Sequence, residues 1–297
     1  MNGDTSMKKL SGVFPALPTP FDAEGKVNAK ALEALVKRNM LKGVDGFYVC
    51  GSTGESLLLS KEERKYVLDI VADTVGGAKP LICHIGCLST ADAVELARHA
   101  ENKVAAVSSI PPIYFKYSYD EIKGYYYDLA DSVGTGMILY NIPVLTGISF
   151  NDDNLADFFT DKRFVGLKHT SNDFFSMERA RARFEEITIF NGYDELFIAG
   201  LSMGADGGIG STYNIMPEKF VAMAGLMRKG EIQQARIIQS EANAVIKELV
   251  KIGIIPALKA CLTLMGIDAG DARKPFGKVS QEQKEALVKN VLPLLEY

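Results

Sequence analysis

The chain has 297 residues, 47% of them hydrophobic and 24% charged, with a formal charge of -4 and a sequence pI near 5.6. That balance excludes an intrinsically disordered chain, and without a basic block it leaves no electrostatic footprint for nucleic acid or an anionic membrane surface. What remains is small-molecule chemistry on a chain of the size that α/β barrels with additions occupy.

Taken from the start, Met1–Lys9 are polar and lack the apolar stretch of a signal peptide, and Met7 is a candidate alternative start. Nothing later reaches the roughly 18 apolar residues of a spanning helix, so a cytoplasmic protein is expected. Short apolar runs bounded by Gly or Pro then recur with amphipathic segments between them, the alternation that a parallel sheet with crossover helices requires. The predicted strands are Val13–Leu17, Gly46–Cys50, Pro80–Ile85, Ala105–Ile110, Gly136–Asn141, Val165–Thr170, Ile187–Asn191 and Gly207–Ser211. Eight such strands predict an α/β fold of the (β/α)8 TIM-barrel type. Among the intervening segments, Leu32, Leu35 and Val36 form a helical stripe. Ser60 with Glu63 and Ser118 with Glu121 have capping-box spacing, and Pro217 suits a first helical position.

After the eighth strand, Glu231–Val250, Pro256–Met265 and Ser280–Leu295 read as helices with no strand between them. The barrel is therefore assigned to residues 1–225, and a C-terminal helical appendage packed on it to residues 226–297. Cys50, Cys83, Cys87 and Cys261 have no CxxC spacing and read as reduced and structural. His84, His99 and His169 share no metal-ligand spacing, so no metal is expected. The Gly204–Gly210 stretch lacks both a Walker lysine and a GxGxxG setting, which argues against a nucleotide cofactor.

In a (β/α)8 barrel, chemistry gathers at the C-terminal ends of the strands. A period-two strand puts Gly166, Lys168 and Thr170 on one face and Leu167 and His169 on the other. If Leu167 faces the helices, Lys168 faces the barrel interior. An apolar site disfavours a charged ammonium, and a neutral amine attacks carbonyl carbon; the alternative is a lysine that snorkels to solvent or pairs with an acid. Tyr140, at similar depth on the fifth strand, is either a proton shuttle or a packing residue with a satisfied hydroxyl. Gly51-Ser52-Thr53-Gly54 could turn N–H groups and two hydroxyls onto a carboxylate, or be an ordinary βα turn. Asp194 and Glu195, beside Gly192, could accept hydrogen bonds from sugar hydroxyls; equally, Asp194 could cap a helix over Glu195–Leu201.

Gly51–Glu55, Tyr140–Pro143 and Gly166–Ser171, in this order, resemble the dihydrodipicolinate synthase/N-acetylneuraminate lyase family of class I pyruvate aldolases, and the likeness runs over nearly the whole chain. Phe190–Glu195 and Gly207–Met216 resemble its neuraminate lyase branch. The resemblance implies that Lys168 forms a Schiff base with the keto carbon of an open-chain sugar acid, with no metal or other cofactor. It implies that Ser52 and Thr53 hold the carboxylate, that Tyr140 takes a proton from the C4 hydroxyl, and that Thr170 positions that hydroxyl. Gly192, Asp194, Glu195 and Ser211 would bind the polyhydroxy tail, and cleavage would yield pyruvate and N-acetylmannosamine. Tyr114, after Pro111-Pro112, resembles a tyrosine that members extend into a neighbouring subunit's site, which implies a homotetramer or at least a dimer. The synthase branch carries an arginine after its Tyr-Asn-Xaa-Pro segment, whereas this chain has Val144-Leu145-Thr146-Gly147. The bidentate carboxylate clamp is thus missing, which counts against aspartate semialdehyde. The alternatives are a 2-keto-3-deoxy sugar acid aldolase or a dihydrodipicolinate synthase, and, from another class, a non-catalytic sugar-acid-binding barrel.

Overall fold

In a computed structural model, residues 9–295 are described, and the expectation for the polar start, Met7 included, lies outside them. Each of the eight apolar runs forms a strand: β1 (Gly12–Pro15), β2 (Phe47–Val49), β3 (Leu81–His84), β4 (Ala106–Ser109), β5 (Gly136–Asn141), β6 (Phe164–His169), β7 (Thr188–Asn191) and β8 (Gly207–Gly210). All pairings are parallel, in the order β1-β8-β7-β6-β5-β4-β3-β2. The ring closes between β1 and β2 through a parallel bridge from Ala16 to Tyr48. Here the Leu17 N–H donates to the Tyr48 carbonyl at 3.0 Å and the Asp45 N–H to the Val13 carbonyl at 2.9 Å. The Asp45 carboxylate accepts from the Val13 N–H at 2.8 Å. Gly12 is required at this seam: its φ is +100°, and a Cβ would lie 2.0 Å from an Asp45 carboxylate oxygen.

Helices follow the strands, beginning with Ala29–Leu41, Lys61–Val75, Thr90–Ala100 and Tyr119–Ser132. Ser60 with Glu63 and Ser118 with Glu121 close the two expected capping boxes, and Leu32, Leu35 and Val36 are fully buried against the barrel. Period-two alternation divides the apolar side chains into two cores. The larger lies between strands and helices. The smaller fills the barrel with Phe14, Tyr48, Ile82, Ile138, Phe190 and Ile209 among others.

Beyond β8 come helices Pro217–Arg228, Ile232–Ile252, Ile254–Leu264 and Gln281–Asn290. The predicted helix Ser280–Leu295 is shorter than expected. It stops at Asn290 and gives way to a 3-10 turn over Leu292–Leu294, where Pro293 has no N–H to continue the α ladder. The middle of Ile254–Leu264 is buried from Pro256 to Leu262, including Lys259. Among the described residues, no helix is long and apolar enough to cross a membrane.

Candidate active site

Strand parity sends Lys168 into the barrel, where only 4% of its surface is exposed. Its register neighbours are Tyr140 on β5 and Phe190 on β7. The amine lies 4.0 Å from the centroid of the Tyr140 ring and 4.2 Å from that of Tyr48. Neither alternative for this lysine survives: it does not snorkel to solvent, and among the described residues no carboxylate pairs with it. Its surroundings are ring faces, which attract a cation at nitrogen without neutralising it. His169 points the other way, its ring nitrogens meeting the Asn141 amide at 3.2 Å and the Asp173 carbonyl at 3.1 Å.

Tyr48, Tyr140 and His84 form an aromatic cluster with ring centroids 6.1–6.3 Å apart, in which Tyr140 stands edge-to-face with both of the others. The Tyr48 phenol meets the Ser108 hydroxyl at 3.2 Å. His84 is fully engaged: the Ile110 N–H donates to its Nε2 at 3.3 Å, so Nδ1 carries the hydrogen and donates to the Cys50 carbonyl at 3.1 Å. Burial, with the positive charges of Arg64 and Lys168 nearby, holds this imidazole far below its usual pKa.

The Gly51–Glu55 segment leaves β2 as a tight turn, with the Gly54 N–H on the Gly51 carbonyl and the Glu55 N–H on the Ser52 carbonyl, both at 3.0 Å. Ser52 is exposed at its tip. Thr53 is buried, and its hydroxyl lies 2.7 Å from that of Ser211, at the end of β8. Ser211, expected at the polyhydroxy end of a ligand, thus sits against the turn expected to hold the carboxylate.

Thr170 follows β6 with its hydroxyl buried and without a hydrogen-bond partner among the described residues. That oxygen occupies the place where a side chain at 192 would begin: a Cβ on Gly192 would lie 1.8 Å from it. Asp194 corrects the capping expectation. The 3-10 turn Asp194–Leu196 and the helix Phe197–Ser202 begin at Tyr193 and Leu196, without a side-chain cap. The Asp194 carboxylate instead reaches the loop after β8, accepting the Thr212 N–H at 2.8 Å and the Thr212 hydroxyl at 2.6 Å. Burial raises its pKa to about 6, against the opposing pull of the Thr212 bonds. Glu195 is exposed. Tyr114 is 88% exposed at a φ of +81°, edge-on to Phe115 at 5.0 Å.

The geometry therefore joins Lys168 with Tyr140, Thr53 with Ser211, and Thr170 with Gly192. Sequence reasoning missed Tyr48, whose inward parity on β2 was its one local signal, and Thr212, which shows only through Asp194. It also missed the buried pair that ends the turn, Glu55 with Lys259 at 2.9 Å. Among the described residues, no group of His, Cys, Asp or Glu is arranged to hold a metal ion.

The profile of the Dihydrodipicolinate synthetase family matches residues 9–292. The chain is 40% identical over 290 residues to an N-acetylneuraminate lyase of Rhizobium meliloti (strain 1021), covering 97% of each sequence. It is 41% identical over 291 residues to one of Enterobacter sp. (strain 638), covering 96% of this chain and 98% of that one. Among solved structures, a catalytic lysine mutant of the Ruminococcus gnavus sialic acid aldolase superposes with a TM-score of 0.92 at 33% identity, over 96% of this chain and 95% of that one. With the family profile spanning the barrel and the helices beyond it, the chain belongs to the dihydrodipicolinate synthetase family.

Proposed function

We propose that the protein is an N-acetylneuraminate lyase, cleaving N-acetylneuraminate reversibly to N-acetylmannosamine and pyruvate through a Schiff base on Lys168. One observation carries the reading: a buried amine at the C-terminal end of a barrel strand, bounded by the Tyr48 and Tyr140 rings and, among the described residues, bound to no acid. Attack on a keto carbon uses the nitrogen lone pair, and no ion pair has to be broken first. Support comes from the relatives, named N-acetylneuraminate lyases at about 40% identity, and from the Ruminococcus gnavus aldolase, which has a catalytic lysine.

In this mechanism Lys168 adds to the keto carbon and water leaves, giving a protonated imine. Tyr140, left as phenolate by giving its proton to that departing water, takes the proton of the C4 hydroxyl, the C3–C4 electrons move into the imine, and the aldose departs. The resulting enamine is protonated at C3, and water releases pyruvate and the amine. Ser52 and Thr53 hold the keto-acid carboxylate, with Ser211 bonded to Thr53. Thr170 offers its hydroxyl, unpartnered among the described residues, to the reacting hydroxyl. Gly192, Asp194 and Glu195 line the polyhydroxy end. No metal or cofactor enters, because the imine is itself the electron sink. Tyr114 reaches a neighbouring subunit in a homotetramer, and the enzyme works in the cytoplasm.

The test is borohydride reduction in the presence of pyruvate, followed by peptide mass mapping. The expected result is a pyruvate-derived adduct on the peptide holding Lys168, absent from Lys168→Ala. An unmodified peptide overturns the reading. Pyruvate release from N-acetylneuraminate, set beside 2-keto-3-deoxygluconate and condensation with aspartate semialdehyde, fixes the substrate. The exposed Val144 and Leu145, where the synthase branch has its arginine, favour a neutral aldose.

A further inference from the structure

The turn expected to take the keto-acid carboxylate is bracketed by two non-glycine residues in left-handed conformation, Cys50 at φ +57° and Glu55 at φ +58°. Conformations of this kind cost on the order of 1–3 kcal/mol each and persist where surrounding contacts over-determine them. At Glu55 those contacts come from far along the chain. Its Oε1 accepts from the Lys259 ammonium at 2.9 Å, and its Oε2 accepts from the Arg273 N–H at 2.6 Å. Both side chains of the pair are fully buried. Lys259 spends a second N–H on the Asp271 carbonyl at 2.9 Å and lies 4.0 Å from the Phe21 ring centroid. The Arg273 guanidinium donates to the Leu58 carbonyl at 3.0 Å and to Glu63, just past the turn. On the other side, the Thr19 hydroxyl donates to the Gly54 carbonyl at 2.8 Å.

A buried ion pair adds little net stability, since desolvation offsets its Coulomb attraction. What this one supplies is direction: a carboxylate with a fixed donor on each oxygen leaves the Glu55 side chain one orientation. The Glu55 backbone closes the turn, because its N–H is the group bonded to the Ser52 carbonyl.

We propose that Glu55 and Lys259 are positioning residues for the keto-acid subsite, through which the C-terminal helix Ile254–Leu264 sets the shape of the Ser52–Thr53 turn. This rests on the lyase reading and adds to it a component outside the barrel mouth. Neither residue touches substrate. Losing the pair loosens the turn and weakens binding of the carboxylate, while the polyhydroxy end, lined by Gly192, Asp194 and Glu195 after β7, is untouched.

The test compares wild type with Lys259→Met and with the doubly neutral Glu55→Gln/Lys259→Met, which leaves no lone buried charge and so keeps the fold. Two quantities are measured: the pyruvate concentration giving half-maximal borohydride trapping on Lys168, and KM for pyruvate and for N-acetylmannosamine in the condensation direction. In the double variant the pyruvate values are expected to rise roughly tenfold or more, the scale of small misplacements in a binding group. KM for N-acetylmannosamine should stay within about twofold. A merely structural role would lower stability and the active fraction in Lys259→Met without separating the two KM values. A folded double variant with wild-type pyruvate values, or an equal rise in both KM values, overturns the proposal alone. Failure of wild type to be trapped by pyruvate overturns the lyase reading and this inference with it.

Discussion

Thr170→Val separates stability from function at a single oxygen. The Thr170 hydroxyl is buried with no partner among the described residues, and an unsatisfied buried hydroxyl costs about 1–3 kcal/mol. Valine keeps the branched shape and removes that cost. For a chain of this length, an unfolding entropy of about 2.1 cal/mol/K per residue amounts to roughly 0.6 kcal/mol/K, so Tm should rise by about 2–5 °C. The hydroxyl is meant to meet the reacting hydroxyl of the substrate, a hydrogen bond worth about 0.5–1.5 kcal/mol, so kcat/KM should fall roughly two- to tenfold. Scanning calorimetry at one protein concentration and the coupled pyruvate assay measure the two effects. A lower Tm would mean that the hydroxyl is satisfied in the resting protein. Unchanged kcat/KM would mean that it meets nothing during the reaction.

Asp194→Asn tests the carboxylate whose pKa burial raises to about 6. A raised folded-state pKa gives stability that is full below the unfolded value of 3.8 and lost as pH rises through about 6. Relative to the variant, wild type should therefore lose on the order of 3 kcal/mol between about pH 4 and pH 7, measured by urea unfolding; parallel curves refute this. Gly192→Ala drives a Cβ to 1.8 Å from the Thr170 oxygen. It should destabilise by about 1–3 kcal/mol in calorimetry, and part of that should return in Gly192→Ala/Thr170→Ala, where the Cβ of residue 170 remains close at 2.8 Å; no recovery would place the strain elsewhere. Tyr48→Leu removes one ring face from the Lys168 nitrogen and should slow imine formation roughly two- to thirtyfold, with Tyr48→Phe close to wild type. Equal loss in both would assign the effect to the phenol and its bond with Ser108.

The fold was largely legible because its signals are local. Each strand is a short apolar run between breakers, and Ser60 and Ser118 announce their helices within four residues. Where a boundary slipped, a local cause remained: Pro293 interrupts a segment that otherwise keeps helical periodicity. The inward face of Lys168 followed from strand parity once Leu167 was set against the helices. What lay beyond reading was which side chains meet across the ring. Tyr48 and Lys168 sit on strands far apart in sequence and are joined only by barrel closure. Asp194 has the composition of a helix cap, yet Thr212 offers its carboxylate two donors, which no periodicity reveals. Glu55 lies at the end of a recognisable motif, but its partner is 204 residues away, in a helix that reads as ordinary apolar packing.

The filled valences of His84 have a consequence for the acid–base chemistry. An imidazole whose acceptor nitrogen is already taken by the Ile110 N–H could bind a further proton only by giving up that bond. This imidazole, inside the barrel mouth, is thereby retired from proton traffic. Protons around the bond being broken are left to other groups such as the Tyr140 hydroxyl, and the rate near neutral pH owes no inflection to His84.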